Sequence, residues 1–588
     1  MWFHPRVAKR TKRSKITTPT VLTFAEADAQ LAGSLSAAFQ GGYRSVAYFP
    51  GDVSIKGDFL AGIAKLVTGE YSVIAIEGDL KVDGRIRLYD SRPGLYVGGS
   101  TTAETLEGGD CEAYLQDGRF TYFVYGYYND GTLETSTVDT PWVINSNHDL
   151  RVDAPNAKTI DNYGDDDDAD FGEANIATSF VAAVRDGDEI DVEKFYKRLK
   201  AKKPVLVAGA KTNKELALAE VKGAKTGKRP ELVIKTTKLK AFPSDALKMK
   251  QLVKLVLDGN EIGKVPDAIG TLTALEELSL SHCDLAELPA SIGKLTNLRV
   301  LRIAGNRHTD YARTKTVTRP IKLPAAIGNL ANLEELDVSE LSETVDGDRR
   351  TLPELTTFEL PAGAAKWKKL RVLRANFTSL ILPRGMWGLP SVEEVELRGA
   401  SWCFLTALPA WVTSFPNLKR LDLSGNFFKT LPDLGKLARL EELDLGNALP
   451  LLKRVPELGK LTRLRVLNVS GNSGHTGVKE PGHDVLRPLF AMTLPSLVDL
   501  RIDRWGGGAR DSKGRGDLAP ATLAGIGRFT ALEKLDLEFN GLAKLPAELF
   551  TLPALKELKL GYNRLGKADL AKVKKTWPKA TIEIGIQH

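Results

Sequence analysis

Apolar residues recur along the C-terminal part of the chain in the order L-x-x-L-x-L, from about residue 232 onward. The clearest copy runs Leu252, Leu255, Leu257, Asn260, Ile262 and Pro266. The next, Leu275, Leu278, Leu280, Cys283, Leu285 and Pro289, follows after 23 residues. A second shift of 23 gives Leu298, Leu301, Ile303 and Asn306. Further copies begin at Leu333, Leu370, Val392, Leu418, Leu440, Leu464, Leu497, Leu532 and Leu555, which makes twelve. A degenerate opening copy (Leu232, Ile234, Leu239, Pro243) precedes them. The L-x-L core alternates, as a short strand with one buried face requires. The asparagine that follows (Asn260, Asn306, Asn426, Asn472, Asn540, Asn563) is expected to turn inward and bond the backbone of adjacent coils, because the turn otherwise leaves buried peptide groups unpaired. Cys283 and Thr378 fill the same slot. The segment LPxxIGxLxxL, at Leu288 to Leu298 and Leu323 to Leu333, predicts a return along the far side. One such unit cannot bury its own apolar face, so stacked neighbours create the core.

Residues 45–152 alternate differently, in short runs such as Ser72-Val73-Ile74-Ala75-Ile76, Asp79-Leu80-Lys81-Val82 and Leu95-Tyr96-Val97. A looser repeat aligns Gly78, Gly99, Gly118 and Ser136. Strands recurring this often with glycine corners predict a parallel β-helix over residues 20–155. The hairpin signal Asn129-Asp130-Gly131 supports a competing antiparallel sandwich. The aromatic run Tyr122, Phe123, Tyr125, Tyr127 and Tyr128 is expected to alternate between core and surface. A connector follows over 156–231. It holds the like-charge block Asp165-Asp166-Asp167-Asp168, a helix expected at Asp191 to Lys200 with Asp191 as N-cap, and Lys-rich sequence to Lys228. The repeat domain then occupies 232–588, and residues 1–19 form a basic tail. The predicted fold class is thus a β-solenoid plus an α/β solenoid.

Composition narrows the chemistry. The 588 residues carry 81 Lys plus Arg and 74 Asp plus Glu, a formal net charge of +7. So slight an excess implies no polyanion, and nucleic acid is not an expected partner. No apolar run approaches a membrane span, and a cytoplasmic protein is expected. Cys111, Cys283 and Cys403 lie far apart, with no CxxC, so neither a disulfide framework nor a zinc cage is expected and a reducing compartment fits. The aspartate block lacks the D-x-D-x-D-G spacing of a calcium loop. Seven histidines form no HxxxH or HExxH, although His475 and His483 share one insertion. No phosphate loop and no GxSxG elbow occurs. No catalytic residue, cofactor site or metal site is assigned.

The C-terminal units resemble leucine-rich repeats of the 23-residue type with L-P-x-x-I-G-x-L, common in plant intracellular and bacterial proteins. That resemblance covers about 232–585 and implies a curved solenoid whose parallel sheet lines a concave, partner-binding face. Trp577-Pro578 and Thr581 to Ile584 look like a final cap. The stretch Tyr125 to Gly131, with Val143-Ile144-Asn145 and His148-Asp149, is similar to the bactofilin-like β-helix group, although filament formation is not carried over.

In the strand x-L-x-L-x the x side chains face the concave surface. The middle x reads Val256, Ser279, Arg302, Asp337, Arg374, Glu396, Asp422, Asp444, Asn468, Arg501, Asp536 and Lys559. Flanking Glu394, Glu442, Asp499 and Asp503 make the stretch from Glu394 to Asp444 acidic. Carboxylates stacked at about 4.8 Å repel unless a cation or basic partner relieves them. Four coils carry extra residues just after the strand: Arg307 to Thr318, Leu341 to Leu352, Ser473 to Leu486 and Gly506 to Asp517. Loops on a rigid scaffold commonly carry recognition. The expected partner-binding residues are Arg302, Asp337, Arg374, Glu394, Glu396, Asp422, Glu442, Asp444, Arg501 and Trp505. The function expected is a non-enzymatic protein-interaction scaffold whose protein partner is basic. Self-assembly through the N-terminal domain, or an enzyme within it, are the alternatives.

Overall fold

Strands with one or both faces buried organise the N-terminal part of the chain. In this computed structural model the described residues are 19–587 apart from 40–41, 90–92, 128–130, 164–168, 236, 238, 313–314, 343, 346–353, 401–402, 449–454, 472–484 and 506–517. The basic tail to residue 18, Tyr128, Asn129 and Asp130, the aspartates 165–168, Asn472, His475, His483 and most of the last two insertions lie outside them. The chain divides into two compact units, Met1–Glu220 with Thr236–Leu239, and Val221–Lys235 with Lys240–His588.

The first unit holds β1 (Thr20–Thr23), β2 (Ser45–Phe49), β3 (Val53–Lys56), β4 (Val73–Ile76), β5 (Leu80–Asp83), β6 (Arg85–Leu88), β7 (Gly94–Gly108), β8 (Ala113–Tyr127), β9 (Thr132–Asp139), β10 (Trp142–Ser146), β11 (Asp149–Asp153) and β12 (Lys158–Asp161). β1 pairs antiparallel with β2. The other pairs are parallel and fall into three ladders. The first joins β2, β4 and the starts of β7 and β8 to β9 and β11. The second joins β3, β5 and the middles of β7 and β8. The third joins β6, the ends of β7 and β8, β10 and β12. β8 and β9 pair in parallel, Ala113 against Leu133, so the signal at Asn129-Asp130-Gly131 closes no antiparallel hairpin between them. The glycine alignment also slips. Gly99 donates to the Gly78 carbonyl, but Gly118 pairs with Thr101, because β8 is offset by 18 residues before and 17 after the shift between Val97 and Ser100, against a glycine spacing of 19.

Inward residues of the ladders, among them Ile74, Ile76, Leu95, Val97, Leu106, Val124 and Leu133, form one apolar core. The outer faces are covered as well, which is why β4 is buried at all four positions. Helices Phe24–Gln30 and Ser34–Ala38 and the turn between them lay Ala27, Leu35 and Leu31 over Val46, Tyr48, Val73 and Ala75. The helix Val192–Lys200 forms as expected, Asp191 capping it through Lys194 N–H, and seats Phe195 against Phe123, Trp142 and Phe180.

The second unit is a 14-stranded parallel sheet from Glu231–Val233 to Thr581–Glu583. Its register keeps one apolar column, with Leu232 beside Leu255, Leu278, Leu301 and Leu336 and so on to Ile582. Short 3-10 turns follow Pro266, Pro289, Pro324 and Pro546 on the return side. The inward slot behaves as expected. Asn306 Nδ2 donates to the carbonyls of Leu280 (2.7 Å) and Ile303 (2.9 Å), and its Oδ1 accepts from Cys283 and Leu285 N–H. Thr378 Oγ1 bonds the Val338 carbonyl from the same slot at 2.9 Å. The final coil closes differently, with helix Lys567–Thr576, the buried Trp577 bonding the Leu552 carbonyl, and Gln587 Nε2 bonding the carbonyls of Leu560 and Ile584. Gln587 thus does for the last coil what asparagine does for the others. Two of the insertions fold into strand pairs, Arg307–Ala312 with Lys315–Pro320 and Thr344–Val345 with Glu354–Leu355.

Candidate protein-docking face

Parallel register places the outward residues of successive strands in columns. Arg302, Asp337, Arg374, Glu396, Asp422, Asp444 and Arg501 follow one another, with only Asn468 between the last two. Glu394 and Glu442 stand in the column beside them. Nine of the ten expected residues therefore share one face. The tenth does not. Trp505 is 4% exposed, its Nε1 donates to the Val469 carbonyl at 2.7 Å, and its N–H donates to Asn540 Oδ1. It stands three residues after Ile502, as Asn260 does after Leu257, so an indole fills the asparagine slot and is no part of a docking surface.

The acidic stretch is largely neutralised from within, which corrects the expected repulsion. Arg302 bridges Glu277 (2.7 Å) and Glu335 (2.9 Å). Arg374 reaches Glu335, Glu394 and Glu396 at 2.8, 3.3 and 3.0 Å. Arg398 pairs with Asp422 at 2.6 Å, and Arg420 with Glu442 at 2.7 Å. Arg398 and Arg420 escape a reading of the middle column alone, because they stand in the columns on either side. Burial opposes the charge on Glu396, yet bonds from Asn376 and Arg374 hold its carboxyl below the usual range. Burial pushes Glu394 up, with Glu396 adding to it against Arg374.

The aspartates have a second, local task. Asp337, Asp422, Asp444 and Asp536 each accept the N–H two residues on, at Ser339, Ser424, Gly446 and Glu538, and Asn468 does so at Ser470. Such side-chain turns end each strand where the coil bends away. Replacing these residues by lysine therefore breaks the turn, whereas asparagine keeps the acceptor.

Asp444 and Asp536 differ from the paired Asp422. Neither has an ion-pair partner among the described residues. Burial holds Asp444 above the usual carboxylate range, and Asp422 adds to it. Burial, then Asp503 and Glu538, pushes Asp536 up to about 6. The folded chain therefore keeps this proton to a higher pH than the unfolded chain. Stability from Asp536 is complete below about 4 and is lost as pH rises through about 6. Asp536→Asn is expected to raise stability at pH 7 by on the order of 1 kcal/mol, after discounting for solvent screening, and to change nothing at pH 3.5. Urea melts at the two pH values check this, and equal shifts at both would contradict it.

Glu394, Arg420, Asp422, Asp444, Asn468 and Arg501 are among the residues lining a groove of about 350 Å³. A second groove, of about 220 Å³, lies over Asp499, Arg501, Lys534, Asp536, Glu557 and Lys559. Burial raises the thiols of Cys111 and Cys283 to about 12 and that of Cys403 to about 11, leaving no thiolate near neutral pH. Among the described residues, no group of three or more His, Cys, Asp or Glu is placed to hold a metal ion, and no helix is long and apolar enough to cross a membrane.

The family model for a leucine-rich repeat region matches residues 231–319, and that for two copies of the repeat matches 416–453. Those two stretches match leucine-rich repeats, and the coils between and after them continue the same parallel register. Solved structures similar to the chain include a leucine-rich repeat protein of Leptospira interrogans, 23% identical over 62% of this chain and 98% of that one, with a TM-score of 0.37. An internalin from Listeria monocytogenes is 18% identical over 61% of this chain and 92% of its own, with a TM-score of 0.36. No curated protein matches the sequence. Leucine-rich repeats commonly act in protein–protein interaction, and the charged columns here are the outward face of such repeats.

Proposed function

We propose that the leucine-rich repeats dock a basic protein partner on their concave face, bordered by the inserted segments, and that the protein is a cytoplasmic, non-enzymatic scaffold. The docking residues in this reading are Arg302, Asp337, Arg374, Glu394, Glu396, Asp422, Glu442, Asp444 and Arg501. The observation that carries it is the pair of carboxylates, Asp444 and Asp536, left without an ion pair in grooves whose other acids are mostly paired. In this reading the N-terminal unit is a parallel β-helix, supported by its three parallel ladders around one core. Helices over its outer faces favour partner binding above self-assembly, since they remove lateral apolar surface. Three buried, unbridged cysteines support the reducing compartment.

Quantitative affinity capture from the host with three forms of the full chain tests the reading. The forms are wild type, Arg501→Glu with Glu442→Arg on the sheet, and Lys294→Glu on the return side. One set of proteins is expected to fall at least tenfold with the sheet variant and to persist with the return-side variant. Equal capture by all three would remove the docking face from the repeats' outward columns.

A further inference from the structure

Asp444 and Asp536 are spaced as a ruler. Asp444 accepts from Gly446 N–H (2.8 Å) and from Asn468 Nδ2 (3.0 and 3.1 Å), and Asp536 accepts from Glu538 N–H (3.0 Å), so the donors to both are neutral. Most acids of this face differ: Glu277, Glu335, Glu394, Glu396 and Glu442 all have an arginine within ion-pair distance, whereas Asp337 and Glu538 have none among the described residues. Register counts three strand steps from Asp444, through Asn468 and Arg501, to Asp536. At about 4.8 Å per step the two carboxylates are separated by about 14 Å along the sheet.

A partner that neutralises both must carry two cations at that distance on one face. An extended chain advances about 3.4 Å per residue and returns to the same face every second residue, so positions i and i+4 span about 13.6 Å and point the same way. A helix rises about 1.5 Å per residue and needs roughly nine residues for 14 Å, which at 100° per residue places the two side chains on opposite sides. The geometry therefore selects an extended segment. Between the cations, the side chain at i+2 falls between the amide of Asn468 and the guanidinium of Arg501, whose ion-pair partner Asp499 lies on its own strand. A hydrogen-bond acceptor suits that position.

Resting on the docking reading, we propose that the partner supplies an extended segment laid across the strands, with lysine or arginine at two positions four residues apart, one over Asp444 and the other over Asp536. Seating each cation replaces water around a half-buried carboxylate that has no ion pair, since Arg398, Arg501 and Lys559 act on the two aspartates only from beyond ion-pair distance. Wrong spacings leave one of the two unpaired, and that supplies discrimination.

Labelled peptides of one serine- and threonine-rich sequence, titrated against the full chain by fluorescence anisotropy at 0.15 M salt, test the ruler. The probes carry lysines at i and i+4, at i and i+3, or at i and i+2, and a fourth carries glutamates at i and i+4. The i, i+4 lysine peptide is expected to bind at least tenfold more tightly than the others. Asp444→Asn and Asp536→Asn, which keep the turn acceptors, should each weaken it several-fold and together abolish the preference for spacing. Equal affinity across the lysine spacings, no binding by any probe, or insensitivity to both substitutions overturns the proposal. Captured partners that still depend on Arg501 and Glu442 would then keep the docking reading standing, whereas loss of that dependence removes both.

Discussion

Asn306→Ala is expected to destabilise the repeat unit by about 3 to 5 kcal/mol and to open the coils on either side of it. The side chain is fully buried and satisfies four backbone groups: the carbonyls of Leu280 and Ile303, and the N–H groups of Cys283 and Leu285. Alanine leaves all four without a partner at roughly 1–3 kcal/mol each, a sum reduced by relaxation and entry of water. Threonine should be milder. At the equivalent position Thr378 Oγ1 donates to the Val338 carbonyl and accepts from Leu341 N–H, so one hydroxyl can serve one donor and one acceptor. Asn306→Thr is thus expected to retain about half of the lost stability. Hydrogen-exchange protection at Glu277–Ser279 and Val300–Arg302, with urea melts, reads the order wild type, threonine, alanine. An alanine variant as protected as wild type would show that the slot is filled by something other than this amide.

Much of this unit is legible in the primary structure because each coil obeys the same rule. The period places Leu255, Leu278 and Leu301 in one column, and the register pairs them directly. What the period hides is any residue that keeps the geometry while changing the chemistry. Trp505 reads as an exposed aromatic beside a glycine-rich insertion, but counting three from Ile502 puts it in the inward slot. Arg398 and Arg420 were equally countable, since strands expose three alternating positions and not one. Folding of the insertions into strand pairs was not legible, because Arg307 to Thr318 has no apolar alternation against a core.

The first unit is less regular, and the reasons are physical. Its coils differ in length and its ladders shift register within β7 and β8, so a fixed glycine spacing loses phase after Gly99. Burial of strands on both faces removes the polar alternation that marks a one-sided sheet. Ala27, Leu31 and Leu35 do stand four apart and cover one outer face, but the helix breaks at Gly33, so the three come from two helices and the turn between them. Of the docking residues, the charged columns were visible as a pattern. Which acids lack a counterion was not, because Arg374 serves Glu335, which precedes it by one coil, as well as Glu394 and Glu396 on the next.

Glu107 is a single acid in the apolar end of β7, and its removal is expected to give the largest loss in the N-terminal unit. The carboxylate is fully buried and takes Arg85 on both oxygens, Nε to Oε1 at 2.7 Å and Nη2 to Oε2 at 2.8 Å. Tyr89 donates its hydroxyl at 2.6 Å, and Thr105 donates as well. Arg85 continues outward to Glu193 at 2.6 Å and lies over the Tyr196 ring, both on the helix Val192–Lys200, so the network ties that helix to the sheet. Burial opposes the charge on Arg85, but bonds to Glu107 and Glu193 outweigh it and raise its pKa. Glu107→Ala strands a mostly buried guanidinium with one partly exposed partner and deprives two hydroxyls of their acceptor, at an expected cost of about 3–5 kcal/mol. Arg85→Ala should cost a similar amount by exposing the reverse charge. The double variant should cost much less than the two together, because the penalty lies in the unpaired ion more than in the missing pair. Hydrogen exchange over Arg85–Leu88 and Val192–Lys200 measures each corner of that cycle. Additive losses would mean that Glu107 and Arg85 stabilise the unit independently, and that the helix is held by the Phe195 packing alone.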